Sequence, residues 1–164
     1  MTMAEMEIVK ALYTGEYAET MLVKNLFYQD KKNKARMWIV CAAEDTRIDL
    51  KALTKTLGCG SGNLRAGSEG DMFAKLGARK GCLTLFSVIN DTENAVKLIL
   101  DKRLTEEFTY VGFHPMVNTA TCAITKESMM QVCELAQHEP QVLDFAALAP
   151  AAAPAGKGGA AAAG

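Results

Sequence analysis

Two apolar segments separated by a short polar turn constrain the fold of this chain more than any other feature. MLVKNLFY (21–28) and MWIVCAA (37–43) are rich in residues that favour strands, and QDKKNKAR between them is polar. This pattern predicts a β-hairpin. The first strand is apolar on both faces except at its centre, so the two polar residues at that centre need an explanation.

Helical and strand patterns alternate through the rest of the chain. The helices are predicted at Met3–Tyr13, from a cap at Asp45 or Asp49 to Leu57, from Ser68 to Leu76, and from Thr125 to about Gln137. The further strands are predicted at Leu83–Ile89, Ala95–Asp101, Thr119–Ile124 and Gln141–Phe145. Strands outnumber helices, which predicts an α/β fold with a mixed, curled, barrel-like sheet flanked by helices.

The size and composition of the chain favour one domain followed by a tail. With 164 residues and 49% hydrophobic content, the chain can bury one proper core. From Ala147 onward the sequence is rich in Ala, Gly and Pro and has no apolar face to bury. We therefore expect a domain over residues 1–146 and a linker or disordered arm over 147–164, as in the N-terminal module of a longer protein.

Charge and cysteine usage exclude several classes of protein. A net charge of −1 and a pI near 6.1 exclude a generally basic nucleic-acid binder but leave room for a local basic patch. The five cysteines form no CxxC pair, which predicts reduced thiols in a cytosolic protein. No apolar run reaches the length of a membrane span. The two histidines have no neighbouring ligands, so we expect no metal or other cofactor.

The polar pair Lys24-Asn25 lies at the centre of the first strand. Alternation places Lys24 on one face with Leu22 and Leu26, and Asn25 on the other face. In one interpretation Lys24 extends to the sheet edge and Asn25 sits in a bulge. In the other, Lys24 points into a pocket and meets an anion or a polarised carbonyl.

Two further stretches combine a glycine with polar groups. GCLTLFSVINDTE starts at Gly81, and a glycine there lets backbone N–H groups approach an oxyanion. Taken alone, this stretch is better explained by ordinary turn chemistry. The stretch VGFHPMVNTATCAI (111–124) contains His114, which follows Gly112-Phe113 and precedes Pro115. A rigid turn of this kind is typical of a loop that presents binding or catalytic groups. Cys122 lies in an apolar stretch and is not expected to form a nucleophilic pair with His114.

Three motifs occur in the order and spacing of a known family, namely KNLF, GCLTLFSVINDTE and GFHPMVNTATCAI. The sequence resembles the YbaK/prolyl-tRNA editing family of aminoacyl-tRNA deacylases, over about Leu22 to Phe145. It is most similar to the branch that hydrolyses alanyl-tRNA(Pro), found free or joined to prolyl-tRNA synthetases.

The resemblance implies a role for each motif. Lys24 binds near the terminal adenosine and its phosphate, His114 helps to form the alanyl pocket, and the loop from Gly81 offers N–H groups to the ester carbonyl. The residues expected to contact substrate are Asn25, Thr84, Leu85, Gly112, Pro115 and Asn118. Family members act without a metal. No side chain in the motifs is a convincing base, so we expect the free ribose hydroxyl of the terminal adenosine to help activate the water.

The sequence departs from the family in two places. Leu85 stands where the family loop usually has proline, which predicts a less rigid loop. The segment before the KN strand is also shorter than usual. A non-catalytic tRNA-binding or interaction module appended to a synthetase is therefore the alternative interpretation.

Basic residues in three clusters are candidates for holding the tRNA acceptor stem through its phosphates. The clusters are Lys31, Lys32, Lys34 and Arg36; Arg79 and Lys80; and Lys102 and Arg103. Taken singly, each cluster is better explained as a solvated surface patch.

Overall fold

The computed structural model describes residue 11 and residues 13–148. The strands are β1 (Met21–Asp30), β2 (Met37–Ala43), β3 (Leu64–Ala66), β4 (Val96–Asp101), β5 (Tyr110–Phe113), β6 (Cys122–Thr125) and β7 (Gln141–Leu143). The α-helices are α1 (Leu50–Thr56), α2 (Glu69–Leu76), α3 (Lys102–Glu106), α4 (Lys126–Leu135) and α5 (Phe145–Leu148). Two 3₁₀ helices cover Gly15–Tyr17 and Leu85–Asn90.

The strands form one seven-stranded mixed sheet in the order β6-β5-β1-β2-β4-β7, with β3 also paired to β1. The predicted hairpin is confirmed, because β1 and β2 pair antiparallel from Val23–Ala43 to Gln29–Met37. The pairs β1–β5, β2–β4 and β4–β7 are parallel. The predicted α/β class with a mixed sheet flanked by helices is confirmed, and the sheet stays open between its edges β6 and β7.

The sheet has an apolar core on each face. One core packs α2, the second 3₁₀ helix and α4 against sheet residues such as Val23, Phe27 and Phe113. The other packs α1 and α5 against residues such as Trp38 and Val40. Burial on both faces explains why β2 is apolar along its whole length.

One edge of β1 is shared by two strands. β5 pairs with its first two residues, Met21 and Leu22, and β3 pairs with its last three, Tyr28 to Asp30. Next to β3, Gly67 donates its N–H to the carbonyl of Phe27. Gly67 must lack a side chain, because a Cβ there would lie 2.3 Å from the Phe27 ring. No strand of the described residues pairs with the middle of β1 between β5 and β3, and we call this gap in the edge the crevice.

The predicted helices of the central region are confirmed by their caps. Asp49 is the cap of α1, since its carboxylate accepts hydrogen bonds from the N–H groups of Lys51 and Ala52. Ser68 caps α2 through the N–H of Asp71, and α2 ends at Gly77 with a φ of 61°.

Several predicted elements differ from the structure. The strand predicted over Leu83–Ile89 is wrong, because Leu85–Asn90 is a 3₁₀ helix. The last strand stops at Leu143 and is followed by α5, while β3 and α3 were not predicted. The helix predicted over Met3–Tyr13 falls almost wholly outside the described residues, as does the tail beyond Leu148. No helix in the described part of the chain has the length and apolarity needed to cross a membrane.

Candidate active site

Lys24 lies in β1, and His114 directly follows β5, the strand that pairs with β1 at one end of the crevice. β1 and β5 pair in parallel at Met21–Val111 and Leu22–Gly112, after which the two strands separate. Lys24 follows Leu22 by two residues and His114 follows Gly112 by two, so alternation directs both side chains toward the same face of the sheet. The crevice outside the carboxyl end of such a strand is a usual ligand site in mixed α/β sheets.

Gly112 fixes how closely β5 approaches β1. A Cβ at this position would lie 2.9 Å from Cδ2 of Leu22 and 3.3 Å from Cγ2 of Thr20. Both contacts are shorter than ordinary packing allows, so only glycine permits this approach. Gly112 therefore has a packing role at the base of the crevice.

The His114 ring is held by the loop that follows it. Its Nδ1 lies 2.9 Å from the carbonyl oxygen of Ala120 and 3.4 Å from Oγ1 of Thr121. A carbonyl oxygen only accepts, so Nδ1 carries the proton and the other ring nitrogen of a neutral His114 is an acceptor. Pro115 and the left-handed Met116, with a φ of 62°, turn the chain directly after His114. The ring is thus fixed both in position and in hydrogen-bonding character.

The Lys24 ammonium is attached to the turn after β2. Its Nζ donates to the carbonyl oxygen of Glu44 at 3.1 Å and to that of Thr46 by a short bond. Two of its three N–H donors are thereby used. Burial lowers the pKa of Lys24, and the nearby carboxylates of Asp45, Asp101 and Glu44 oppose this effect.

A polar network that sequence reasoning missed supports this turn. Asp101 is fully buried and accepts hydrogen bonds from the Ala43 N–H at 3.3 Å, from the Arg103 N–H at 3.1 Å and from the Thr46 hydroxyl. Arg103 in turn bonds Asp45 at 2.7 Å, which holds the pKa of the Asp45 carboxyl below its ordinary value. The acidic residue that ends the apolar run VKLIL was the only signal in the sequence.

Asn25 lies on the face of the sheet opposite Lys24, as alternation predicted. The β1–β2 register is continuous through Asn25, so no bulge occurs there. Its Nδ2 makes only a long 3.5 Å contact with the Val23 carbonyl oxygen. Its Oδ1 and the Thr84 Oγ1 are buried without a hydrogen-bond partner among the described residues. Such atoms are rare in folded proteins and mark positions where a ligand or water completes the bonding.

The glycine loop and the histidine loop contact each other. Gly81 has a φ of 83°, and a Cβ there would lie 3.9 Å from Nδ2 of Asn118. Two N–H groups of this loop are already bonded, since Cys82 donates to Arg79 and Thr84 donates to Ser87 Oγ at 3.3 Å. Donors for an oxyanion are therefore limited to the other N–H groups of the loop.

Leu85 is buried in the core, whereas Cys122 lies in β6 and is only partly buried. Leu85 begins the 3₁₀ helix and is fully buried in the core. Cys122 pairs with Phe113 in the β5–β6 ladder, one residue away from His114, whose Nδ1 instead faces Ala120 and Thr121. The described residues contain no group of three or more metal-ligating side chains.

The three basic clusters differ in their partners. The carboxylates that neutralise Lys102 and Arg103 are those of Asp45, Glu106, Glu107 and Asp144. Arg36 pairs with Asp30 at 3.2 Å, and Arg79 lies over the Phe73 ring. Lys31, Lys32 and Lys34 are exposed and take part in none of the ion pairs between described residues.

Comparison with known proteins identifies relatives along most of the chain. Residues 4–132 match the family model described as the aminoacyl-tRNA editing domain. The chain is 40% identical over 123 residues to human "Putative prolyl-tRNA synthetase associated domain-containing protein 1", covering 74% of this chain and 72% of the relative. It is 38% identical over 126 residues to the Danio rerio protein of similar name, covering 76% of this chain and 66% of the relative.

A bacterial relative has a name that refers to editing. "Prolyl-tRNA editing protein ProX" of Acetoanaerobium sticklandii is 34% identical over 111 residues, covering 68% of this chain and 65% of that protein. Among solved structures, a putative signal transduction protein from Marinobacter aquaeolei superposes with a TM-score of 0.56 at 16% identity, over 81% of this chain and 26% of that one. This likeness concerns the fold alone. The motifs and the family match agree, and the chain belongs to the aminoacyl-tRNA editing domain family, whose activity is aminoacyl-tRNA deacylation.

Proposed function

We propose that this chain hydrolyses the ester bond of mischarged alanyl-tRNA(Pro) in the cytoplasm, either as a free protein or joined to a prolyl-tRNA synthetase. The observation that carries the proposal is the crevice beside β1. There the anchored ammonium of Lys24 and the His114 ring, which is fixed by its own loop, follow two residues after the last pair that joins β1 to β5. The names of the vertebrate and bacterial relatives support a role connected with proline charging.

The proposed division of labour follows from these contacts. Lys24 neutralises the phosphate of the terminal adenosine. His114 and Pro115 form a rigid wall of the aminoacyl pocket, because the His114 ring is bonded to Ala120 and the chain turns directly after it. The unbonded N–H groups of the Gly81 loop hold the developing oxyanion, which needs donors fixed in place before the reaction.

A rigid wall suits a site that selects by size. A synthetase pocket built for proline rejects alanine poorly, because each missing methylene changes binding by only about 1–3 kcal/mol. A second site that admits alanine and excludes the larger proline corrects this error. The ester is already activated, so positioning and oxyanion donors suffice without a strong nucleophile.

The attacking water is oriented by the substrate and by His114. The free ribose hydroxyl of the terminal adenosine lies beside the ester. With Nδ1 bonded to the Ala120 carbonyl, the remaining nitrogen of the imidazole accepts a hydrogen bond from that hydroxyl or from the water. Lys24 stays charged and acts on the phosphate.

The test compares hydrolysis of alanyl-, cysteinyl- and prolyl-tRNA(Pro). We expect rapid release of alanine and little release of proline. A second alanyl-tRNA(Pro), whose terminal ribose lacks the neighbouring hydroxyl, should react more slowly by orders of magnitude and bind almost normally. No hydrolysis of any of these substrates would support the non-catalytic alternative. Normal turnover of the deoxy substrate would make a protein group the base.

A further inference from the structure

We propose that the tRNA acceptor stem lies along α1, with its phosphate backbone held by a surface that we call the α1 face. This surface consists of Lys31, Lys32, Arg47, Lys51 and Lys55. The inference rests on the function proposed above and adds the direction in which the acceptor stem of the bound tRNA extends from the active site.

The α1 face begins at the candidate active site. Lys24 donates to the carbonyl oxygen of Thr46, and Arg47 and the cap of α1 follow directly. α1 then runs back along the sheet to the β1–β2 turn, where Arg36 bonds the carbonyl oxygens of Leu57 and Gly58. From Lys24 to Asp30, β1 spans about 20 Å at about 3.3 Å per residue, enough to contact several phosphates.

The cations of the α1 face are available to a ligand. All five are exposed, and none takes part in an ion pair between described residues. The carboxylates among them are already bonded, since Asp49 caps α1 and Asp30 binds Arg36 and the N–H of Lys32. The five cations therefore outnumber the nearby carboxylates Asp30 and Asp49, of which Asp30 is already paired with Arg36.

The shape of the α1 face also suits the phosphate backbone of a tRNA. Lys51 and Lys55 are one helical turn apart and line the same cavity of about 450 Å³ between α1 and the Ser61–Gly62 turn. Leu50, Thr54 and Leu64 complete its floor. Lysines at the rim of a concavity can reach phosphates that enter it.

Charge on the other face of the sheet disfavours the opposite orientation. The groove beside α4 is lined by Glu127, Glu134 and Glu139. α4 packs on one core of the sheet, and α1 packs on the core of the opposite face. A phosphate backbone is attracted to the α1 face and repelled from the α4 groove.

The experiment compares two double variants of equal charge. Lys51→Gln/Lys55→Gln removes two cations from the α1 face, and Lys75→Gln/Lys126→Gln removes two from α2 and α4 as the control. Binding of uncharged tRNA(Pro) is measured by fluorescence anisotropy at several salt concentrations. Hydrolysis of alanyl-tRNA(Pro) and of a short alanyl-CCA oligonucleotide is measured in parallel.

Loss of two phosphate contacts should reduce the slope of log affinity against log salt by about 1.5. If the proteins bind alike at 1 M salt, the α1 variant then binds about 30-fold more weakly at 0.1 M salt. It should hydrolyse the short oligonucleotide normally. Equal slopes of log affinity against log salt for the α1 variant and the control would refute the proposal that the α1 face binds tRNA phosphates. A wild-type protein that binds tRNA but hydrolyses neither substrate overturns the proposed function instead.

Discussion

Replacement of each histidine by alanine should have opposite effects: His138→Ala should lower stability, and His114→Ala should change activity. The ring of His138 and the carboxyl group of Asp91 are hydrogen-bonded at 3.1 Å, and their side chains are 2% and 1% exposed. The Nδ1 of His138 lies 2.8 Å from the Ala136 carbonyl oxygen. Both ring nitrogens of His138 are therefore bonded to oxygen atoms in the core.

The size of the effect follows from what His138→Ala leaves behind. Asp91 also accepts the N–H groups of Ala95 at 3.1 Å and Val96 at 2.7 Å, which join the 3₁₀ helix to β4. Removing the hydrogen-bond partner of a buried polar group costs about 1–3 kcal/mol, and truncation of a buried ring adds the cost of a cavity. For a chain of this size, about 2–4 °C per kcal/mol predicts a fall in melting temperature of about 6 °C or more. The kcat per folded molecule should not change.

His114→Ala is the matched control, because His114 is only partly buried and bonded mainly to one carbonyl. We expect a stability change of about 1 kcal/mol, together with lost alanyl activity or new attack on a bulkier aminoacyl group. Urea unfolding and deacylation are measured on both variants. A loss below about 1 kcal/mol for His138→Ala would refute the buried-pair argument, and wild-type deacylation by His114→Ala would make His114 merely structural.

Two further substitutions test the other motifs. Lys24→Ala should lower deacylation at least tenfold, about 1.4 kcal/mol, and unchanged activity would exclude a role at the adenosine phosphate. Because burial lowers the pKa of Lys24, substrate binding should weaken with rising pH earlier than for an exposed lysine. Leu85→Pro should fold, since proline suits the first residue of a helix and the preceding Thr84 is extended, with φ −154° and ψ 164°. Its activity should be kept or raised despite some lost packing, and a folded but inactive protein would show that this loop is built differently.

Local patterns predicted those parts of the fold that local interactions determine. The hairpin followed from two strand-like segments around a polar turn, and Ser68 and Asp49 marked helix starts because their side chains accept N–H groups two or three residues later. Alternation also placed Lys24 and Asn25 on opposite faces correctly. These features depend on residues close in sequence.

The stretch LTLFSVI was misread because its apolar composition suits either a buried strand or a buried helix. Its 3₁₀ conformation is favoured by Ser87, whose hydroxyl accepts the N–H of Thr84 at 3.3 Å. Helix α3 was missed for a related reason. Asp101 is both the last residue of β4 and the cap of α3, so the strand pattern concealed the helix start.

The arrangement of the candidate site depends on long-range pairing. The strands that carry Lys24 and His114 become neighbours through the two residue pairs that join β1 to β5. Likewise, the Asp101 carboxylate reaches Thr46 across 55 residues of sequence. Motif order in the sequence identified the participants, but no local pattern specifies their register.

Because β5 and β3 attach to the same edge of β1, the width of the crevice between them depends on how all these strands are arranged in the sheet. β5 and β6 attach to the remaining strands through Met21 and Leu22, and β3 attaches at the far end of the same strand. Gly112 packs closely on Leu22, since a Cβ at Gly112 would lie 2.9 Å from Cδ2 of Leu22. Under the proposed selection by size, a change in the spacing of β5 and β1 would require β5 and β6 to move relative to β1 and β2. The stiffness of the sheet would then set how sharply larger aminoacyl groups are excluded.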